Sequence, residues 1–408
     1  MRSGWLGCAV VAASLALLVS CGSSSNSTFL YLVSQGSSPG TVSTYSVNLN
    51  TGTLESNNGV LASVGQTANA GTQPTNLLFE PKQTFAYTAN LGSDDISTFT
   101  VSKDGSLAAA GSTTPVSTTM AAAARPLGLA IDPGAHFLFV ANEGDPARKI
   151  PGNISVFSIG SGGALTAAPG SPFSIPMTSP PLPVQPVTPL PVSVAVSNQG
   201  NFVYVADQAN GAVAAFSFDS GSGALTAIPA GCATSPTCFG FLAGSAPSVV
   251  FSPPKGNFLY VANAGSNDVY TFSIDAAKGT LIPLTSAGTT NPIIVPVGIG
   301  PIAMLSDPAA KFVYVLANQG AQLVGFTMNQ VTGELTPITA NGGTVSTGAN
   351  PVALAIRSTG LANGNFWLFT ANNGGSSVST FNVNFSSGAL TALPQATAPL
   401  APYGIAVH

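Results

Sequence analysis

Short apolar runs separated by Gly, Asn and Pro fill this chain, and they leave no room for helices. One run, FLYVANAGSNDVYTFSID, begins at Phe258 and recurs in recognisable form along the sequence. Its seven copies begin at Phe29, Phe85, Phe137, Phe202, Phe258, Phe312 and Phe366, at spacings of 52 to 65 residues. Repetition at a nearly fixed period indicates a repeat architecture first and a functional site only second.

Each copy contains four short apolar segments, which we name strands A to D. Strand A follows a proline, at Pro74, Pro126, Pro191, Pro247, Pro301 and Pro351. Strand B is the F-x-Y-V run, and strand C resembles VYTFSID. Strand D follows a Gly-x-Leu turn, at Gly52, Gly105, Gly163, Gly223, Gly279, Gly333 and Gly388. Four antiparallel strands per repeat predict an all-β, seven-bladed β-propeller.

The first copy lacks a strand A, and the missing strand lies at the other end of the chain. The segment APYGIAVH, residues 401–408, has Pro402 in the expected place and no strand after it. We therefore predict that residues 402–408 pair with the blade that begins at Phe29 and close the ring, which removes an open sheet edge. We expect Ile405 and Val407 to pack around Phe29 and Tyr31.

The N-terminus predicts export. Arg2 precedes an apolar stretch that ends in LVSC at Cys21, which resembles a bacterial lipobox. Residues 1–20 are thus predicted as a lipoprotein signal peptide, 21–28 as the lipidated Cys21 and a short tether, and 29–408 as a single propeller. Acylation would anchor the protein to a membrane of the bacterial cell envelope, on its periplasmic or surface side. An ordinary signal peptide with a chance cysteine is the alternative.

The amino-acid composition argues against nucleic-acid binding. Only 6% of residues are charged, the net charge is −4, and no Lys/Arg run provides a nucleic-acid surface. Cys232 and Cys238 predict a local disulfide in an oxidising compartment, since no histidine lies near them to complete a metal site. We expect a monomer with no cofactor or metal, which binds a small molecule, a carbohydrate or a protein.

The motif F-x-Y-V-A-N followed by V-x-x-F-x-[ID] resembles the YVTN-type propeller repeat. The whole repeat unit resembles that of the lactonase family of seven-bladed propellers, which includes 6-phosphogluconolactonases. The resemblance covers nearly all of residues 29–408. It implies His, Arg and Glu around one mouth of the central channel, with a P-H-x-H motif at the start of one strand A. Here none of the seven residues after the prolines is a histidine: Thr75, Leu127, Val192, Ser248, Ile302, Val352 and Tyr403.

The only histidines, His136 and His408, are expected at the end of strand A opposite this mouth. They cannot reach a substrate proton there. The resemblance implies a site role for Arg125, because this residue precedes Pro126 as an Arg does in related enzymes. The alternative is that Arg125 only makes a surface or inter-blade hydrogen bond.

The longest departures from the repeat fall in loops predicted at the mouth: residues 143–153, 169–191 and the Cys232–Cys238 loop. The first holds the candidate ligand-binding residues Glu143, Asp145, Arg148 and Lys149. A solvated loop with internal ion pairs explains the same charges. Asp94 and Asp95 in GSDDIS could bind a cation, but aspartates at a loop tip more often hydrogen-bond their own backbone, and this is the role we expect.

Two functions follow. The first is a binding or interaction module that uses the mouth. The second is a lactone hydrolase that uses Arg125 with Glu143 or Asp145 as the acid. A mouth pocket that brings Arg125 to a carboxylate would favour the enzyme, and a plugged, uncharged mouth would favour the binding module.

Overall fold

The computed structural model describes residues 27–48, 50–57, 60–64, 66–116, 124–176, 188–230, 239–285, 292–339, 342–358 and 366–408. Seven sheets, each built mainly from antiparallel strands, confirm the predicted seven-bladed propeller. Two short 3-10 turns, Pro146–Arg148 and Ser161–Gly163, are the only helical segments in these ranges. None of the described helical segments is long and apolar enough to cross a membrane.

Every blade begins at the centre with strand A and moves outward through B and C. Strands A are Pro402–Val407 in blade 1, then Pro74–Phe79, Pro126–Ile131, Pro191–Val196, Pro247–Phe251, Pro301–Ser306 and Pro351–Ser358. Strands B are Ser27–Ser34, Phe85–Asn90, Phe137–Asn142, Phe202–Asp207, Phe258–Asn263, Phe312–Ala317 and Phe366–Asn372. Strands C are Thr41–Asn48, Asp95–Val101, Asn153–Ile159, Ala212–Phe218, Asp268–Ile274, Gln322–Met328 and Ser377–Val383.

The outermost strand, D, follows the Gly-x-Leu turn as predicted. It differs from the prediction in one respect, since it is split into two short pieces that both pair with strand C. The first piece follows the Gly-x-Leu turn: Leu107–Ala109, Leu165–Ala167, Leu225–Ala227, Leu281–Pro283, Leu335–Pro337 and Leu390–Ala392, with a single bridge at Leu54 in blade 1. The second piece pairs with the start of strand C: Ala68–Asn69, Thr114–Pro115, Phe173–Ser174, Phe241–Leu242, Ile294–Pro296, Thr344–Ser346 and Ala396–Thr397. Blade 1 adds the hairpin Ser56–Asn57 and Val60–Leu61.

The repeated Phe, Tyr and Gly meet across the blade interfaces, which explains why they recur. In blade 1, Phe29 packs on Gly105 of blade 2 so closely that a Cβ there would lie 2.3 Å from the ring. Tyr31, fully buried, donates its hydroxyl to the Gly105 carbonyl at 2.9 Å. The same bond recurs from Tyr87, Tyr204, Tyr260 and Tyr314 to the turn glycine of the next blade. Burial raises the pKa of these five hydroxyls, which keeps them protonated as donors.

Two glycines with the same backbone conformation separate the effect of this contact from that of backbone strain. Gly105 has φ +81°, and Gly111 has φ +83° with nothing near its absent Cβ. Alanine in the left-handed region costs about 1 kcal/mol, and overpacking adds about 1–3 kcal/mol. We therefore expect chemical denaturation to show a markedly larger loss for Gly105→Ala than for Gly111→Ala. Equal losses would mean that the turn, and not the blade contact, selects glycine.

In blade 7, the alignment of the repeats on Phe366 is shifted by one residue. Its strand B is one residue longer, and counting back from Asn372 places Trp367, not Phe366, opposite the turn glycine. A Cβ on Gly52 of blade 1 would meet the Trp367 ring at 2.2 Å. The larger indole therefore fills the last interface of the ring, and the alignment on Phe366 was wrong there.

The C-terminal strand closes the ring as predicted. It pairs antiparallel with strand B of blade 1, with Leu32 opposite Ile405 and Tyr31 opposite Ala406. Backbone bonds at 2.9 and 3.2 Å join Phe29 and His408 in both directions. A further, outer link joins blade 1 to blade 7, because Val60 of the blade 1 hairpin pairs with Thr397 of blade 7.

The side-chain packing of this strand differs from expectation. Directly opposite residues share one face of a sheet, so Ile405 and Val407 lie with Leu32 and Leu30. They pack towards Trp367 in the core between blades 7 and 1. Phe29 and Tyr31 face blade 2, together with Ala406.

Candidate functional site

The mouth is the end of the ring at which the A strands begin, and Arg125 lies there immediately before Pro126. Its backbone is left-handed, with φ +53°. Such strain often marks function, but Gln73, Ala246 and Asn350 share it at the same place in other blades, with φ between +49° and +51°. A register shift after the proline likewise recurs in the A strands. The conformation of Arg125 therefore belongs to the repeat, and only its side chain is specific to blade 3.

Asp94 fixes the backbone of Arg125 from the neighbouring blade. Its Oδ1 accepts the Arg125 N–H at 2.7 Å. Asn267 serves Gly300 in the same way at 2.8 Å, from the corresponding loop of blade 5. The expectation that Asp94 bonds its own loop is therefore wrong for this oxygen, and the matching GSDD and GSND segments of blades 2 and 5 are the sequence signal of the shared role.

An ion pair joins Arg125 to Glu143. Arg125 Nε lies 2.8 Å from Glu143 Oε2, and the side chains are 41% and 20% exposed. The backbones also meet, since the Glu143 N–H donates to the Arg125 carbonyl at 3.0 Å. Among the described residues, the terminal nitrogens of Arg125 and Oε1 of Glu143 make no hydrogen bond. Within the described residues, therefore, no protein group occupies these atoms.

The other charges of the 143–153 loop serve the loop itself. Asp145 caps the turn Pro146–Arg148 by accepting the Arg148 N–H, and its Oδ2 lies 3.4 Å from Arg148 Nε. Lys149 is exposed and left-handed, with φ +60°. The structure therefore separates the candidates: Glu143 joins Arg125, whereas Asp145 and Arg148 form the internal pair expected of a solvated loop.

Three amide side chains at the mouth link neighbouring blades by hydrogen bonds. Gln35, Asn318 and Asn373 each donate to the carbonyl of the proline that starts the next strand A, at 2.6 to 3.2 Å. Asn318 also bonds Asn350 at 2.7 Å. These neutral groups belong to blades 1, 6 and 7, at the same end of the ring as the Arg125–Glu143 pair of blade 3, and they can hydrogen-bond hydroxyl groups without adding charge.

Asp207 is a further carboxyl at this end of the ring, in the place where blades 2, 3, 5 and 7 have asparagine. It is almost fully buried, and it accepts the Leu190 N–H at 3.0 Å and Asn210 Nδ2 at 2.6 Å. Burial raises the pKa of Asp207. Because the Asp207 carboxyl is buried, we assign it a structural role: it holds the end of the 169–191 loop through Leu190, and a ligand at the mouth does not reach it.

The histidines lie at the far end of the A strands, as expected. His136 is in the A-to-B turn of blade 3, exposed, with Nδ1 3.8 Å from Asp132 Oδ2. His408 follows the closing strand. Cys21, Cys232 and Cys238 lie outside the described residues, and so does the middle of the 169–191 loop, residues 177–187. Within the described residues, no three His, Cys, Asp or Glu side chains cluster as a metal site.

These features define a closed propeller with one polar mouth and an Arg–Glu pair at its edge. The chain belongs to the lactonase, 7-bladed beta-propeller family, whose sequence profile matches residues 21–119 and 194–353, more than half of the chain. A search of curated proteins found no match.

Solved structures resemble the whole ring. A suggested 6-phosphogluconolactonase from Bacteroides uniformis superposes with a TM-score of 0.71 at 18% identity, over 94% of this chain and 100% of that chain. The periplasmic gluconolactonase of Pseudomonas aeruginosa superposes with a TM-score of 0.67 at 18% identity, over 94% and 99%. At such identity the likeness establishes the fold alone.

Proposed function

We propose that the protein hydrolyses a lactone at the mouth, with Arg125 and Glu143 as its reactive pair. The observation that carries this proposal is the 2.8 Å contact between them, at the edge of a lactonase-family propeller. It meets the part of the condition for the enzyme that concerns the carboxylate, since Glu143 lies against Arg125; the deep pocket that completes the condition is still to be shown. The names of two structural neighbours, a suggested 6-phosphogluconolactonase and a periplasmic gluconolactonase, support a sugar lactone as the substrate class.

The pair offers both groups that ester hydrolysis needs. Glu143 Oε1 would take a proton from water as the oxygen adds to the lactone carbonyl. The terminal N–H groups of Arg125 would donate to the oxyanion formed at that carbonyl. The ring C–O bond then breaks, and Glu143 returns the proton to the departing ring oxygen. The product is one hydroxy acid, whose carboxylate suits the planar guanidinium.

The test is a direct assay of lactone opening. A chain that starts after Cys21 keeps every described strand, so it suits a pH-stat measurement of acid release from a panel of δ- and γ-lactones. Because sugar lactones also open spontaneously, the rate without protein is subtracted. We expect saturable catalysis of at least one sugar lactone. No rate above background across the panel, with the ring folded, would contradict the enzymatic proposal.

The second candidate is a binding module that holds such a ligand without opening it. The absence of histidine after any strand A proline favours it, since the mouth then lacks the general base implied by the family resemblance. Calorimetry with the same panel separates the two functions. Binding without turnover supports the module.

We further propose that the protein is an exported lipoprotein, anchored through Cys21. The LVSC motif after an apolar stretch supports this, and so does the short distance from Cys21 to the first strand at Ser27. We expect Cys21→Ser to abolish lipid labelling and to release the protein from membranes. A Cys8→Ser control should label normally. If wild type takes up no acyl label and both variants fractionate alike, the anchor does not exist.

A further inference from the structure

The end of the channel opposite the mouth carries two basic side chains where most other blades have an oxygen. The residue that ends strand A usually caps the A-to-B turn. Asp132 and Asp307 each accept three backbone N–H groups. Glu80 accepts two backbone N–H groups and the Thr84 hydroxyl, and Ser197 accepts one N–H. In the adjacent blades 7 and 1, the corresponding positions are Arg357 and His408.

Arg357 is partly enclosed, and it has no hydrogen-bond partner within the part of the chain that the structure describes. Its Nε is buried without a hydrogen bond, and no described residue accepts from any of its nitrogens. No carboxylate of the described residues lies within 4.0 Å of it, since the three recorded ion pairs involve other groups. Burying a cation without a counter-charge is costly. Burial accordingly lowers the pKa of Arg357.

His408 stands beside this cation. Its ring packs against Phe79 of blade 2, with centroids 5.6 Å apart. Burial lowers the pKa of His408 first, and the nearby Arg357 charge lowers it further, against a hydrogen bond with the Gln83 backbone that raises it. Because Pro351–Ser358 and Pro402–Val407 are strands A of adjacent blades and lie against each other, Arg357 and His408 are neighbours at the closure of the ring, one as a cation and the other as an imidazole.

We propose that Arg357 and His408 form an oxyanion-binding site at the far end of the channel, which takes a phosphate or carboxylate group. A guanidinium matches the planar or tetrahedral oxygens of such groups with paired donors, and an imidazole supplies one more. The bound anion would supply the counter-charge that no described side chain places within ion-pairing distance of Arg357. This site is separate from the mouth pair, so it goes beyond the proposed hydrolysis.

Histidine signals make the site directly testable, because the chain has only two histidines. The full chain, labelled with 13C-histidine, is titrated with inorganic phosphate and, in a second series, with acetate, at constant ionic strength set by NaCl. We expect a saturable shift of the His408 signal, while the His136 signal stays in place. The more effective anion identifies the preferred group.

Two variants assign the effect. Arg357→Gln should weaken the phosphate or acetate response of His408 at least tenfold, whereas Arg148→Gln, which removes an exposed arginine from a mouth loop, should leave it unchanged. A wild-type His408 signal that responds to neither anion overturns the proposal, even if Arg357→Gln fails to fold. An equal response in wild type and a folded Arg357→Gln variant overturns it as well.

Discussion

Deletion of residues 402–408 should leave a protein that aggregates or melts far below the full chain. The deletion removes a buried central strand, its ladder with residues 30–34, and the packing of Ile405 against Leu32 and Trp367. It also opens the ring at blade 1 and exposes a sheet edge. We expect the loss to exceed the ~4–5 kcal/mol that single substitutions rarely surpass. Thermal unfolding followed by circular dichroism measures it.

Deletion of residues 22–26 is the matched control. This segment precedes the first strand at Ser27, and removing it breaks none of the described contacts. We expect its melting temperature to equal that of the full chain. If the two deletions melt alike, the closing strand does not hold the ring, and the outer pairing of Val60 with Thr397 would have to be stronger than one residue pair suggests.

Glu143→Gln should lower kcat for lactone hydrolysis by about 10²–10⁴-fold, the range that general bases contribute. The amide keeps the shape of the side chain but cannot take a proton from water. Stability should hardly change, because a partly exposed ion pair contributes about 0–1 kcal/mol. Steady-state kinetics beside a melting curve separates lost chemistry from lost folding.

Asp145→Asn supplies the comparison within the same loop. Asp145 pairs with Arg148 and caps the 3-10 turn, and Asn retains the capping oxygen. We expect its kcat to stay within about twofold of wild type, well below the smallest effect of a lost base. Similar losses in both variants would show that the loop as a whole, and not the Glu143 carboxylate, supports turnover.

The ring was predictable because its contacts repeat. Residues equivalent to Phe29 and Gly105 recur along the chain, so both sides of the repeated blade interface can be recognised in the sequence. The failures occur where one copy departs from the pattern. In blade 7 an extra residue in strand B shifts the contact to Trp367, which an alignment on phenylalanine does not reveal. The packing of Ile405 was misassigned because strand register, which decides the face, is not visible in a single strand.

The site was only partly predictable. Arg125 and Glu143 stand out as charges in a nearly uncharged chain, and the shared end of strands A and B places both at the mouth. The distribution of the loop charges was not predictable, because it depends on a 3-10 turn that directs Asp145 to Arg148. The unpartnered Arg357 was also hidden, since its exposure and neighbours exist only in the closed ring.

The most direct test of the account is a crystal structure of the Glu143→Gln variant grown with the best sugar lactone from the assay panel, or with the aldonic acid that it yields. The account predicts the ligand at the mouth, with its carbonyl or carboxylate oxygen within hydrogen-bond distance of the terminal nitrogens of Arg125 and its ring near residue 143. A ligand bound elsewhere on the ring, with Arg125 untouched, would contradict it.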